Sequence, residues 1–166
     1  MIITDLKYLR KPCKEVSFFE AELIIKKLED ELDISKVKGV GLSANQIGID
    51  ARVCIIRTNK ISLNLINPVI VEKYDLIEFN SEGCLSLPNQ FILTKRFNEI
   101  LVKDSLHISG IISTGFEAVV IQHELCHLNG ELMFQYKITR PYANEICWCG
   151  SNRKYKTCHM GKAIKS

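Results

Sequence analysis

The apolar and polar positions of this chain divide it into a strand-rich middle with a helix on either side. Ala21, Ile24, Ile25, Leu28 and Leu32 recur at helical spacing. Ser17, with Glu20 three positions on, supplies the capping-box pattern that opens such a helix. The spacing predicts an amphipathic helix ending near Asp33. Strand-like runs rich in Val and Ile follow over 51–57, 69–72 and 100–103, the second beginning beside Pro68. Between them, 40–48 is small and glycine-bounded and reads as a loop where backbone approaches something closely. Gly48 and Asn67-Pro68 read as turns. Thr114 and Glu117 repeat the capping-box pattern, and the helix they open runs to Gly130, a natural stop. The order helix, strands, helix predicts an α+β fold.

The second helix carries chemistry. Gln122-His123-Glu124-Leu125-Cys126-His127 places two imidazoles four apart, on one helix face, able to hold one metal with Glu124 beside them. Phe116, Val119 and Val120 share that stripe, so the imidazoles are expected to face the sheet. A further histidine ligand would fall at 133, which is Met133, and the later acids are Glu131 and Glu145, the second inside the tail. A thiolate remains, and Cys84 offers one in the tight segment 82–88. Three protein ligands would leave a fourth position open, as catalytic sites do. Glutamate next to the first histidine suits proton transfer from metal-activated water to a leaving amine. One thiolate and two imidazoles accept Fe(II), Zn(II), Ni(II) or Co(II).

Composition adds bounds. The 166 residues suffice for one domain with a full core. No secretory pattern and no apolar run of ~18 residues is present, so a cytoplasmic protein without a membrane span is expected. Seven cysteines, an odd number clustered near histidines, favour thiol or metal chemistry over disulfides. Cys13 and Cys54 read as core fillers, and His107 as a surface residue. Charge is uneven. Residues 137–166 carry seven Lys or Arg against Glu145, and the first 136 carry 15 basic and 18 acidic residues, so a +6 tail follows a −3 body. An anionic partner such as RNA would suit the tail.

Three segments together resemble the peptide deformylase family: Gly39-Val40-Gly41-Leu42-Ser43-Ala44-Asn45-Gln46, Glu82-Gly83-Cys84-Leu85-Ser86 and Gln122 to Gly130. The resemblance implies an α+β fold in which antiparallel sheets surround a central metal-binding helix, within a catalytic domain over 1–140. It implies removal of the formyl group from N-terminal formylmethionine of new polypeptides, with Fe(II) favoured. Cys84, His123 and His127 would bind the metal and Glu124 would act as general acid and base. The Gln46 amide and the Leu85 N–H would stabilise the oxyanion. Backbone near Gly41 would hold the peptide extended, and Val40, Leu85 and Val119 would line the methionine pocket. One departure stands out: Cys126 occupies the place of an aspartate expected to pair with Arg96. Either another carboxylate such as Glu117 substitutes, or Arg96 is more exposed.

The tail carries a second signal. Cys147, Cys149, Cys158 and His159, with Gly150 at a turn and a Lys154-Tyr155-Lys156 run, resemble the SEC-C zinc-binding motif over 144–162. A segment this short cannot bury a core, so a tetrahedral zinc is expected to fold it, behind a linker of Pro141, Ala143 and Asn144. A monomer is expected, with a possible ribosome or RNA contact through the tail. Two alternatives stay open: another metal-dependent amidase, and a catalytically impaired adaptor that binds through its zinc tail, suggested by Cys126.

Overall fold

The computed structural model describes residues 1–35 and 39–165. A single turn, α1 (Leu6–Leu9), precedes α2 (Phe18–Ile34). At the start of α2 the Ser17 hydroxyl accepts from the Glu20 N–H and the Glu20 carboxylate accepts from the Ser17 N–H, so the predicted capping box is formed. Three short strands, β1 (Gly41–Ser43), β2 (Val53–Arg57) and β3 (Ser62–Ile66), make one antiparallel sheet in that order. A long hairpin, β4 (Val69–Cys84) with β5 (Leu87–Lys103), is flanked by β6 (Ile111–Thr114) and by β7 (Ile164–Lys165) in a second sheet, ordered β6-β5-β4-β7. The helix α3 (Gly115–Leu128) follows β6, and the tail holds one helical turn, α4 (Tyr155–Cys158). The fold is α+β, as expected.

Several local expectations need correction. The stretch 40–48 is not a loop: Gly41–Ser43 pairs with β2, and Ala44–Ile47 is a turn of 3-10 helix closed by Gly48 in the left-handed region. The strand runs at 69–72 and 100–103 are only the ends of a hairpin whose middle is polar and half-exposed, which is why apolar alternation failed to show it. Thr114 makes no capping hydrogen bond, and Glu117 instead meets Thr58 and Lys60. The helix ends at Leu128, with Asn129 as its cap.

The largest correction concerns the stripe on α3. Every residue from Glu117 to Leu128 is buried. The reason lies in how the layers stack. Along β2, Val53 and Ile55 point into a core with Ala21, Ile24, Ile25 and Leu28 of α2, while Cys54 and Ile56 point the other way into a core with Ala118, Ile121 and Leu125 of α3. Ile100 and Val102 of β5 enter the second core from the opposite sheet. The helix is therefore held between two sheets, and a helix enclosed on all sides shows no single apolar face. Gln122 fastens it to β5 as a strand neighbour would: its amide donates to the Phe97 carbonyl and accepts from the Phe97 N–H.

The end of α3 is pinned by close backbone approach. Gly130 sits at φ +73°, and a Cβ there would lie 2.6 Å from the Arg10 carbonyl oxygen. The Cys13 N–H donates to the Leu128 carbonyl beside it. Gly130→Ala is expected to cost more than about 1 kcal/mol and to lower the melting temperature by at least ~3 °C. Unchanged calorimetric melting would contradict this.

Candidate metal centre

The β4–β5 hairpin and α3 meet where their chemistry-bearing residues are. A bulge after Phe79, with Ser81 at φ +60°, bends β4 before Glu82, and Cys84 then lies at the two-residue turn into β5. Opposite it, one turn apart on α3, stand His123 and His127, their ring centroids 5.0 Å apart. The Cys84 Sγ is 3.2 Å from the His127 Nε2, and one ligand atom from each of the three residues lies within 4.8 Å of the others. The three sequence-predicted ligands are thus brought together.

One of the two imidazoles is oriented from behind by a carboxylate. The His123 Nδ1 lies 2.8 Å from a Glu82 carboxylate oxygen, which leaves its other nitrogen for the centre. The same carboxylate accepts from the Thr94 hydroxyl at 2.6 Å and, in a forked pair, from Arg96 Nε at 2.8 Å and Nη2 at 2.5 Å. Arg96 is 2 % exposed and lies over the Tyr136 ring. Its remaining nitrogen Nη1 donates to the Cys126 Sγ at 3.3 Å. Of the two alternatives the first holds: Arg96 is buried and another carboxylate pairs with it, although that carboxylate is Glu82 rather than Glu117. Burial would push the Glu82 carboxyl up, but hydrogen bonds and charge from Arg96 and His123 hold it far below the usual range. Cys126 faces Arg96 and stays outside the ligand cluster. The residues fit a divalent metal: a soft thiolate and two imidazoles converge, and one imidazole is already fixed by a carboxylate.

Glu124 lies at the other side of the centre, 3 % exposed. The Ser43 hydroxyl donates to its carboxylate at 2.6 Å. Burial pushes its carboxyl up from the ordinary value, against the opposing pull of His123 and Ser43. Gly41 is pressed against it, since a Cβ there would meet Glu124 Oε1 at 2.6 Å. Gln46 accepts from the Ser43 N–H through its carbonyl and turns its amide nitrogen to Ser86 Oγ at 3.1 Å and Cys84 Sγ at 3.6 Å. That places a side-chain donor at the rim of the ligand cluster. A cleft of about 380 Å³ opens above, lined by Val40, Gly41, Leu85, Val119, Phe79 and Phe91 among others. Val40, Gly41, Leu85 and Val119 were expected here. Ser43, Phe79, Phe91 and the orienting role of Glu82 were not singled out, although Glu82 sits two positions from Cys84 on a strand, the spacing that puts residues on one side.

The tail brings its four candidates together as well. One ligand atom each from Cys147, Cys149, Cys158 and His159 lies within 4.8 Å of the rest, with Gly150 at φ +79° in the turn between them. His159 Nδ1 is 3.2 Å from Cys147 Sγ, while its Nε2 donates to the Leu76 carbonyl of β4. A cluster of two thiols with Tyr155, flanked by Trp148, is all the apolar core this segment has, which suits a metal-folded unit. Among the described residues no helix is long and apolar enough to cross a membrane.

A family model described as polypeptide deformylase matches residues 2–141, and a SEC-C motif model matches residues 144–161. A peptide deformylase of Karelsulcia muelleri is 35% identical over 147 residues, spanning 80% of this chain and 74% of the relative. One from Heliobacterium modesticaldum is 38% identical over 128 residues, spanning 75% and 83%. The peptide deformylase structure from Thermotoga maritima superposes with a TM-score of 0.71 at 32% identity, covering 84% of this chain and 97% of that one.

Arg96→Met would leave the Glu82 carboxylate buried with its main counter-charge removed. Urea unfolding is expected to show a loss of about 3 kcal/mol. Adding Glu82→Gln is expected to recover part of it; a double variant weaker than the single one would contradict the pairing.

Proposed function

Because the chain belongs to the peptide deformylase family, metal-dependent enzymes that remove the N-formyl group from nascent polypeptides, we propose that Cys84, His123 and His127 hold its catalytic metal and that Glu124 moves the proton. The observation that carries the assignment is the buried Glu124 carboxylate beside three converging ligands at the floor of an apolar cleft. A divalent ion held there supplies Lewis-acid chemistry, lowering the pKa of water and polarising a carbonyl. Glu124 accepts the proton from the attacking water at its carboxylate, and Ser43 keeps that carboxylate aimed. It then gives the proton to the departing amine. The Gln46 amide and the Leu85 N–H stabilise the negative charge on the formyl oxygen, donors typically worth ~3 kcal/mol each. Gly41 has no side chain because the Glu124 carboxylate fills that space.

The cleft selects the substrate by shape. Val40, Leu85 and Val119 offer an apolar wall for a methionine side chain, and the backbone at Gly41 pairs with an extended peptide. A formyl carbon carries only hydrogen, so it fits over the metal where larger acyl groups do not. Fe(II) is the metal we favour in the cell, with Zn, Ni or Co as replacements, since the donor set accepts each. We read residues 1–140 as the catalytic unit and 144–162 as the zinc-carrying tail, a division supported by the two family matches. A cytoplasmic monomer is the simplest setting for an enzyme that meets chains leaving the ribosome. The exposed Arg153, Lys154, Lys156 and Lys162 suit a ribosomal RNA surface.

The adaptor alternative rested on Cys126 leaving Arg96 without a carboxylate. Glu82 fills that need, so the motive for it is gone. Another amidase would need a wider cleft. Formate release from formyl-Met-Ala-Ser by anaerobically prepared protein is the expected activity, with acetyl-Met-Ala-Ser left intact. Glu124→Ala is expected to lose at least about 10³-fold in kcat while retaining metal, and Gly41→Ala about 10²-fold with an unchanged melt. Cleavage of the acetyl peptide at a similar rate would remove the deformylase assignment of the cleft. Lys154→Glu with Lys156→Glu is expected to weaken co-sedimentation with ribosomes at low salt; identical, salt-insensitive binding would dismiss the RNA contact.

A further inference from the structure

The tail does not hang from the body. Glu78, in the middle of β4, is 1 % exposed, and a carboxylate so buried requires donors. Arg140 Nε donates to it at 2.7 Å and the Trp148 indole N–H at 2.8 Å, and the Tyr155 hydroxyl interacts with the same group. All three belong to residues 140–155; among the described residues no side chain of the earlier body donates to Glu78. Burial would push the carboxyl up, yet these hydrogen bonds hold it below the ordinary value. The body therefore carries a buried acid two of whose partners, Trp148 and Tyr155, come from the zinc-carrying tail, while the third, Arg140, ends the catalytic unit just before it.

Two further contacts lie along the same strand, and a third joins the anchors to each other. His159 donates its Nε2 hydrogen to the Leu76 carbonyl at 2.6 Å. Since that carbonyl can only accept, the neutral tautomer compatible with it has its lone pair on Nδ1, and Nδ1 is the atom turned to the cysteine cluster. A metal ligand of the tail is thus itself bonded to β4. The Trp148 ring packs on the His159 ring with centroids 4.5 Å apart, linking the two anchors. Finally β7 adds to the edge of β4, with Ile164 opposite Phe79 and Lys165 opposite Asn80.

What lies on the other side of β4 gives these contacts a consequence. Strand geometry turns Phe79 away from Glu78. Phe79 is buried, stacks on Phe116 of α3 at 6.1 Å, clusters with Ile77 and Val119, and lines the peptide cleft. The segment 76–80 is therefore gripped by the tail on one face and forms cleft wall on the other.

We propose that Glu78 is the receptor that locks the metal-bearing tail onto β4, making the tail a fixed outer support of the cleft wall whose metal load sets substrate affinity. Glu78 acts as a positioning residue through Phe79 and touches no substrate. The affinity half rests on the deformylase reading of the cleft; the docking half does not.

Hydrogen exchange on the full chain, with metal content counted and the catalytic centre loaded with nickel, separates the two. Cys149→Ser with Cys158→Ser should remove the tail zinc and raise exchange across residues 76–80 by about tenfold. In formate-release kinetics the same protein should show KM raised about five- to tenfold, with kcat within about twofold of the unaltered chain. Glu78→Ala should behave alike, and Glu78→Gln should fall between, since an amide oxygen still accepts from Trp148 but no longer pairs with Arg140. Trp148→Phe leaves the ligand set intact and should move both readouts in the same direction, which keeps the test open if Glu78→Ala fails to fold. Unchanged exchange at 76–80 after zinc loss would overturn the docking. Raised exchange with unchanged KM would overturn the coupling to the cleft. An unaltered chain that releases no formate would count against the deformylase reading and leave the exchange result to decide the docking.

Discussion

Glu82 holds a negative charge between β4 and α3, where water does not reach to screen it, and each group around it is a donor. Arg96 supplies a forked pair of N–H groups, Thr94 a hydroxyl and His123 a ring nitrogen. A charge buried without such partners would be too costly to keep. With them it fixes three elements at once: the bent end of β4, the facing strand β5 and the helix that carries two of the proposed metal ligands. The position of Cys84 relative to His123 follows, because Glu82 and Cys84 stand two residues apart on one strand.

The sandwich around α3 makes this arrangement possible. One sheet packs α2 on one face and α3 on the other, and the second sheet closes over the far side of the helix. Polar groups in such a place need partners: Glu82 of β4 supplies one for the His123 ring, Ser43 of β1 one for the Glu124 carboxylate, and the Asn45 amide donates to the backbone carbonyl of His127. The proposed peptide cleft opens onto this polar island, and glycine at position 41 leaves Glu124 its space. In the proposed function, specificity and proton transfer both depend on this close approach of β1 to α3.

The clustering of the candidate ligands was legible in the sequence because their spacing is a local property: His123 and His127 one turn apart, and the cysteine and histidine pairs of the tail within a short run. The start of α2 was legible for the same reason, since a capping box involves residues three apart. Glu82 as the partner of Arg96 was not, because that pairing depends on the register of a long hairpin whose polar middle hides its strands. The burial of α3 on every side depends on two sheets that no single stretch encodes. The docking of the tail escaped notice too: Glu78 looks like one more exposed acid in an alternating strand until Arg140, Trp148 and Tyr155 are brought onto it.

The proposed assignment gives two metal centres of different donor sets, one with a single thiolate and an open position, the other with three thiolates and an imidazole. Element-specific X-ray absorption distinguishes them when cobalt is loaded at the catalytic centre and zinc occupies the tail. The cobalt edge should report one sulfur near ~2.3 Å, two imidazole nitrogens near ~2.1 Å and a remaining light-atom ligand. A cobalt environment with no sulfur, or with more than one, would contradict the assignment of Cys84, His123 and His127 as the catalytic centre.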